Sequence, residues 1–324
     1  MSSIKDFILT TTKASDSQEV EVIQSLWSGY GKISRYALSG SNLKTVIVKN
    51  IIFPNESNHP RGWNTNASHE RKVKSYQVET AFYNDYNHLC NDDCRTPKLI
   101  SSKTIGAEQV IILEDLDAIG FPVRKTDLTV EQVKVCLKWL ANFHATFLNK
   151  KPEGLWGTGT YWHLATRSDE FTVMNDTPLK QAAKDIDQLL NSCEYQTLVH
   201  GDAKVANFCF SNDLKKVAAV DFQYVGGGCG IKDVAYLMGS CLSENECERY
   251  EKELLAYYFF ELEITLSNVH KNINFKKLEK EWMLLYSIAW ADFTRFLMGW
   301  MPTHQKINGY SKMMVDEALK TLNY

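Results

Sequence analysis

Apolar residues change their spacing along the chain, and the change divides it. Val20, Ile23 and Leu26 recur at helical intervals, so residues 14–27 read as an amphipathic opening helix. From Ser28-Gly29-Tyr30-Gly31 the pattern becomes the alternation of a strand, running to Leu38. Ser39-Gly40-Ser41-Asn42 supplies a hairpin turn, and Thr45-Val46-Ile47-Val48-Lys49 the returning strand. Residues 54–66, rich in proline, asparagine, serine and glycine, read as a loop. A helix is expected from Ser68 to Leu89, where Val73, Tyr76, Thr80 and Tyr83 fall near one face. Pro97 to Ser101 and Gln109 to Leu113 resemble two further strands. The second ends in a polar turn region, Glu114-Asp115-Leu116-Asp117, where a lobe boundary is expected: residues 1–115 and 116–324. Beyond it helical spacing dominates. Thr129 can cap a helix from Val130 to Leu148, with Val133, Leu137, Leu140, His144 and Phe147 on its buried face and His144 a core histidine. Thr177 to Leu190 is another amphipathic helix, and Glu244 to Tyr324 reads as helical throughout and rich in aromatic residues.

Two short apolar, β-prone runs interrupt the helices, and each delivers polar side chains at its end. Thr197-Leu198-Val199 leads into His200-Gly201-Asp202-Ala203-Lys204-Val205-Ala206-Asn207, and Val217-Ala218-Ala219-Val220 into Asp221-Phe222-Gln223. Asp202 and Asn207 are five apart, and Asp221 follows Asp202 by 221 − 202 = 19 residues. This is the pattern H-x-D-x-x-x-x-N followed by D-F-x of kinases. Phosphoryl transfer needs a carboxylate to orient and deprotonate the attacking hydroxyl, which suits Asp202. It also needs hard oxygen ligands for Mg²⁺ on the phosphates, which suits Asn207 and Asp221. Gly226 to Gly230 allow a sharp return toward Asp233, at the start of the next helix.

Composition narrows the field. A chain of 324 residues with 44% hydrophobic residues is long enough for two lobes and a sizeable core. A net charge of −3 gives no reason to expect a nucleic-acid partner; Lys271, Lys276, Lys277 and Lys280 read as a solvated helix face. No stretch approaches the roughly 18 apolar residues of a membrane span, and the N-terminus lacks the apolar core of an export signal. The eight cysteines are scattered, so reduced thiols and a cytoplasmic location are expected. The run from His88 to Cys94 lacks a second ligand pair and reads as a surface loop rather than a zinc site.

The chain resembles the phosphotransferase superfamily of aminoglycoside phosphotransferases, choline kinases and ecdysteroid-kinase-like proteins. The likeness rests on Val46 to Lys49, Glu79-Thr80-Ala81-Phe82-Tyr83, Ile112 to Leu116, Leu140 to Ala145, His200 to Asn207, Asp221-Phe222-Gln223 and Asp233-Val234-Ala235. The ecdysteroid-kinase-like branch looks most similar, through Leu113-Glu114-Asp115-Leu116 and Leu140-Ala141-Asn142-Phe143-His144-Ala145. The resemblance implies an α+β, bilobal, protein-kinase-like fold with a small N-terminal sheet, a larger helical C-terminal lobe, and ATP and Mg²⁺ in the cleft. It implies that Gly29 and Gly31 lie over phosphates, that Lys49 reaches the α/β-phosphates, and that a helix glutamate, Glu79 or else Glu70, holds that lysine. Backbone groups at Glu114 and Leu116 would meet the adenine edge. Lys204 departs from the choline kinases; protein kinases place a lysine two after the catalytic aspartate, touching the transferring phosphate.

The expected activity is therefore transfer of the γ-phosphate to a hydroxyl of a choline-like, aminoglycoside-like or steroid-like alcohol. A protein kinase is the competing reading, opposed by Gly201 where protein kinases carry arginine and by the 12 residues from Asp221 to Asp233. A silent scaffold on the same fold would have no chemical need for Lys49, Asp202, Asn207 and Asp221 together. For the acceptor, Tyr286, Trp290 and Phe293 share one helical face at i, i+4 and i+7. Such a stripe is commonly core. Alternatively it lines an acceptor pocket, with Asp292 or Asp233 available to a cationic group.

Overall fold

Ser3 and Asp6 close a capping box at the start of a short helix, α1 (Ile4–Thr12), which ends on a left-handed Lys13. The computed structural model describes residues 3–26, 29–53, 66–270 and 272–324; the loop expected at 54–66 lies almost wholly outside them, as does Lys271. The expected opening helix is instead a strand, β1 (Asp16–Ser25), at the sheet edge. The reason is visible in its register. β-Bulges between Glu19 and Glu21 and between Val22 and Gln24 interrupt the two-residue alternation. Val20 and Ile23 are left at a spacing of three, which imitates a helical face although both are β-branched and exposed.

A five-stranded antiparallel sheet follows, formed by β1, β2 (Gly31–Ser39), β3 (Thr45–Ile52), β4 (Leu99–Ile105) and β5 (Glu108–Glu114) in the order β1-β2-β3-β5-β4. Between β3 and β4 lies one long helix, α2 (Asn66–Asp85). Alternation sorts the strands' side chains. Val46, Val48, Val110 and Ile112 meet Phe7 and Ile8 of α1, each such burial contributing about 1.5–3 kcal/mol. Ile47, Ile51, Ile111 and Leu113 join the main core on the opposite face. Lys49 shares that second parity and points at α2, where it meets Glu79. The Gly29–Gly31 stretch belongs to the turn between β1 and β2, closed by the Leu26 N–H donating to the Gly31 carbonyl at 2.8 Å. Gly31 has φ 112°, and a Cβ there would stand 2.0 Å from the Asn50 carbonyl oxygen.

After β5 the chain is mainly helical. α3 (Val130–Thr146) starts at Thr129 in a capping box with Gln132 and buries Val133, Leu137, Leu140 and His144. Next come α4 (Ser168–Val173), α5 (Pro178–Gln181) and α6 (Ala183–Asn191), the last two replacing the single helix expected from Thr177. Two small antiparallel ladders follow, β6 (Thr197–Val199) with β9 (Gly226–Gly228) and β7 (Phe208–Phe210) with β8 (Val217–Ala219). The expected sharp glycine return is thus partly strand. Glycine is required at Gly226 by close approach, because a Cβ would stand 2.3 Å from the Trp156 carbonyl oxygen. The helices α7 (Ile231–Cys241), α8 (Glu244–Val269), α9 (Phe275–Leu284), α10 (Tyr286–Trp300) and α11 (Gly309–Leu322) complete the chain. Lys276, Lys277 and Lys280 are exposed on α9. Among the described residues no helix is long and apolar enough to cross a membrane.

Candidate active site

The two small ladders hold the segment His200–Asn207 and place Asp221 beside it. His200 is fully buried and works as an internal strut. Its Nδ1 accepts the Asp202 N–H at 3.2 Å, and its Nε2 donates to the Val220 carbonyl at 3.0 Å. Gly201 has φ 78°, and a Cβ would meet the Tyr224 carbonyl oxygen at 2.1 Å, so an arginine does not fit there. A further span of backbone is laced to this loop. The Thr160 N–H donates to the Tyr224 carbonyl at 3.1 Å, the Tyr161 N–H to the Gly201 carbonyl at 3.1 Å, and the Gly159 N–H to the Gly227 carbonyl at 2.8 Å. The Gly154–Gly159 stretch is therefore fastened to the centre of the molecule.

Asp202 sits in a polar cage. Lys204 Nζ is 2.8 Å from its Oδ2, Asn207 Nδ2 donates to the same oxygen at 3.1 Å, and the Tyr236 hydroxyl donates to Oδ1 at 3.1 Å. Burial pushes the Asp202 carboxyl above its ordinary value against the pull of Lys204. Asp221 adopts φ 68°, the left-handed region that aspartate tolerates better than most residues. Burial alone would raise its carboxyl, but Lys49, Lys72 and Lys204 together outweigh that and hold it low and ionised.

A hard divalent cation fits this set. Among the described residues Asp221 Oδ1 is buried without a hydrogen-bond partner, Lys49 Nζ standing 4.0 Å away. Asn207 donates its amide nitrogen to both the carbonyl and carboxylate of Asp202, which leaves its amide oxygen as the uncommitted group. No cluster of three or more histidine, cysteine or acidic side chains able to hold a metal occurs among the described residues. Two protein oxygens are what a metal shared with phosphate oxygens requires.

Two cavities meet here. The smaller, about 220 Å³, has apolar walls including Ile33, Ile47, Leu113, Leu116 and Val220, with Lys49, Glu79 and Glu114 at its polar edge. Lys49 and Glu79 are both buried, with Lys49 Nζ 2.5 Å from Glu79 Oε2. Burial raises the Glu79 carboxyl, and Lys49 opposes the rise. Glu114 is ion-paired with Arg95, its N–H donates to the Lys98 carbonyl at 2.9 Å, and the Leu116 carbonyl accepts from the Phe121 N–H at 2.9 Å. The Leu116 N–H makes no hydrogen bond among the described residues. The larger cavity, about 490 Å³, is lined by Asp202, Lys204, Tyr161, Tyr224, Tyr236 and the basic residues Arg71, Lys72 and Arg167. Asn207 and Asp221 line both.

The three residues expected beside an acceptor lie in neither cavity. Asp233 is fully buried, accepting the N–H groups of His200 at 2.5 Å and Gly201 at 3.0 Å and contacting His144 Nε2 at 3.2 Å. It anchors the loop that carries Asp202. Asp292 is engaged by Arg295 at 2.8 Å, Trp162 Nε1 at 3.0 Å and Lys232 at 3.6 Å, all within the core. Trp290 packs against Tyr310, its ring filling the space beside Gly239. The physical reason is that α10 is buried almost all round, so its aromatic stripe meets other helices. Asp202, Lys204, Asn207 and Asp221 line the larger cavity as well, but other residues of its lining were missed. Tyr236 carries a readable signal, standing three after Asp233 on the same helix face. Arg71 and Lys72 carry none, since two charges at a helix start look solvated.

The ecdysteroid kinase-like family matches the chain over residues 37–153 and 161–271. No curated protein matches it. Among solved structures it is similar to a microcompartment-associated aminopropanol kinase, at 14% identity and a TM-score of 0.49 over 96% of this chain and 92% of that one. It is similar also to choline kinase LicA from Streptococcus pneumoniae, at 13% identity and a TM-score of 0.49 over 99% of this chain and 97% of that one. An amicoumacin kinase in complex with AMP-PNP, Ca²⁺ and Ami gives 12% identity and a TM-score of 0.49 over 99% and 93%. These likenesses are too distant to speak for a substrate. The family match takes in Lys49, Glu79, Asp202, Asn207 and Asp221. The chain is a small-molecule phosphotransferase with an alcohol group as acceptor, and it belongs to the ecdysteroid kinase-like family.

Proposed function

We propose that the protein transfers the γ-phosphate of ATP, with Mg²⁺, to a hydroxyl of a small molecule. One observation supports this above the others: Asp202 lines only the larger cavity, whereas Asn207 and Asp221 line both. A nucleotide in the smaller cavity would present its terminal phosphate at the junction, directly before an acceptor held in the larger one. Residues 1–115 would then serve as the nucleotide lobe and 116–324 as the catalytic and acceptor lobe.

Each side chain has a part in this scheme. The unpartnered Leu116 N–H, beside Glu114, meets the adenine edge, while Ile47 and Val220 flank the ring. The turn at Gly29 and Gly31 brings backbone N–H groups over the phosphates. Glu79 holds Lys49 toward the α/β-phosphates. Asn207 and Asp221 hold Mg²⁺, which when bound neutralises charge on the phosphate oxygens. Asp202, fixed by Tyr236 and Asn207, orients the acceptor hydroxyl and accepts its proton at a carboxylate oxygen. Lys204, beside it, faces the transferring phosphate. The eight cysteines, all free thiols in the structure, are in keeping with a cytoplasmic location.

The test is ATP consumption by the full chain against a panel of hydroxylated metabolites, with Mg²⁺ and with EDTA. Phosphorylated product that requires both Mg²⁺ and Asp202 is expected. Product formed equally by Asp202→Asn would overturn the proposal.

A further inference from the structure

The larger cavity is lined by four cationic side chains, Arg71, Lys72, Arg167 and Lys204, against two carboxylates, Asp202 and Asp221. Two of these cations are matched. Lys204 stands 2.8 Å from Asp202, and Arg167 stands 3.0 Å from the buried carboxylate of Glu170. Among the described residues Arg71 and Lys72, adjacent on the first turns of α2, have no carboxylate within ion-pair distance. Arg71 donates to the Thr166 carbonyl at 2.8 Å and to Ser68 Oγ at 3.3 Å. Lys72 donates to the Gln223 amide oxygen at 2.9 Å and lies 4.7 Å from the centre of the Tyr76 ring. Every one of these contact partners is neutral, while the Asp221 carboxylate acts on Lys72 through space.

Two half-buried cations without a carboxylate in contact are costly, because carboxylates acting through space, Asp221 on Lys72 above all, repay only part of the desolvation. Burial, followed by repulsion from Arg167, depresses the Arg71 guanidinium, and burial pulls Lys72 down to about 8. Neither residue reaches the smaller cavity, where Lys49 already faces the nucleotide. Their charge is therefore directed at whatever enters the larger one.

The aromatic walls point the same way. Lys306 Nζ stands 5.4 Å from the Tyr236 ring and 5.7 Å from Phe293, and the Arg167 guanidinium 5.7 Å from Tyr161 and 5.3 Å from Phe296. Of the rings that line the cavity, Tyr161 and Tyr236 thus already carry a cation of the protein's own, which leaves a quaternary ammonium fewer faces to meet.

Resting on the phosphotransferase proposal above, we infer that the acceptor alcohol carries an anionic group, such as a carboxylate, which Arg71 and Lys72 receive while its hydroxyl meets Asp202. The guanidinium fork of Arg71 suits a carboxylate, and Tyr161 and Tyr224 pack the carbon body between the two ends. A choline-like or aminoglycoside-like acceptor would bring its positive charge against two unmatched cations, and such juxtapositions act as a filter between substrates.

Three alcohols matched in shape test this: 4-(hydroxymethyl)benzoate, 4-methylbenzyl alcohol and 4-(hydroxymethyl)benzyltrimethylammonium. Binding to full-length Asp202→Asn protein saturated with Mg·AMP-PNP is measured by calorimetry, so that no turnover intervenes. The benzoate is expected to bind about tenfold tighter than the neutral alcohol, and the ammonium weakest of the three. Arg71→Gln in the same background is expected to bring benzoate and neutral alcohol within about threefold of each other, Arg71→Lys keeping part of the preference. Lys72→Met provides a second variant should the first fail to fold. Absence of a benzoate advantage, tighter binding of the ammonium, or an unchanged ratio in the folded variants would overturn the inference. Product formation by the wild-type chain with Mg·ATP is scored separately. A benzoate preference without any phosphorylated product would strike the phosphotransfer proposal and leave the anion site standing.

Discussion

The smaller cavity matches each of its cations with a carboxylate in contact; among the described residues the larger leaves two without one. In the smaller, Lys49 has Glu79 at 2.5 Å, Arg35 has Asp115 at 2.8 Å and Arg124 has Asp117 at 2.8 Å. In the larger, Arg71 and Lys72 rest on a carbonyl, a hydroxyl and an amide. A charge that already has its partner can position a ligand without changing the site's net charge, as Lys49 and Glu79 do. A charge whose contact partners are all neutral leaves an electrostatic demand that carboxylates farther off meet only in part, and an incoming anion can meet the rest. The first cavity is thus internally balanced, and the second is completed by its substrate.

The largest effect falls at the junction. Asp202→Asn should lower kcat by about 10²–10⁴-fold while leaving nucleotide binding nearly intact. Stability should move the other way. Burial raises the folded-state pKa of Asp202 above its value in the unfolded chain, so ionisation weakens the fold as pH rises through the folded pKa. The asparagine protein, measured at pH 7, should therefore melt no lower than wild type. A marked fall in Tm would show that the pairing with Lys204 outweighs the cost of burial.

Breaking a balanced pair should cost more stability than removing an unmatched charge. Lys49→Ala leaves Glu79 buried and alone, an error of about 3–5 kcal/mol by analogy with other buried pairs, and it should weaken ATP use as well. Glu79→Ala should mimic it more mildly in kinetics. Denaturant unfolding and KM for ATP check both. A larger kinetic loss from Glu70→Ala would shift the lysine's partner to the other glutamate.

Asp221 serves both cavities, so its loss should be felt in the linkage between them. Wild type should gain about 2.7 kcal/mol of apparent stability from Mg·ATP at a hundred times its dissociation constant, and Asp221→Ala should lose most of that gain. An identical thermal-shift titration in the two proteins would remove Asp221 from the metal set.

The smallest effect is a pH dependence confined to the unmatched side. Lys72 titrates near 8 in the folded chain, against an ordinary 10.5. Its charge is thus present below about 8 and lost above it, and this part of the folded state's stability improves with pH up to the ordinary value. Asp221 and Glu79 favour the charged form, and Lys49 and Arg167 oppose it. Affinity for an anionic acceptor should fall severalfold between pH 7 and 9. Lys72→Met should flatten that profile; an unchanged slope would assign it to another group.

The same contrast explains what the sequence disclosed. The smaller cavity is walled largely by paired strands, where register fixes which side chains face one another; alternation put Lys49 at the end of a strand, and the resemblance to kinases singled it out. The segment His200–Asn207 and Asp221 was legible because two short apolar runs each end at their polar residues. The larger cavity draws on separate segments around Arg71, Tyr161, Arg167, Asp202, Tyr224 and Tyr236, and periodicity does not reveal that they converge. Periodicity also fails to say what a face looks at. Tyr286, Trp290 and Phe293 do share one face, and it is buried, the commoner of the two readings. β1 was lost to its bulges, and α1 was too short to declare itself.

Thr160 bears on how the acceptor wall is held. Its φ of 91° is one that β-branched residues avoid, and it is buried between Gly201 and Gly227 in the span laced to the catalytic loop. Such a residue stores on the order of 1–3 kcal/mol. The wall that carries Tyr161 is therefore strung under tension, like a bow between two fastenings. Glycine at 160 would release the strain and return roughly 0.5–1 kcal/mol of it as chain entropy. On these magnitudes the melting temperature should rise by the difference, and the slackening would appear in how firmly Tyr161 stands against whatever enters the cavity.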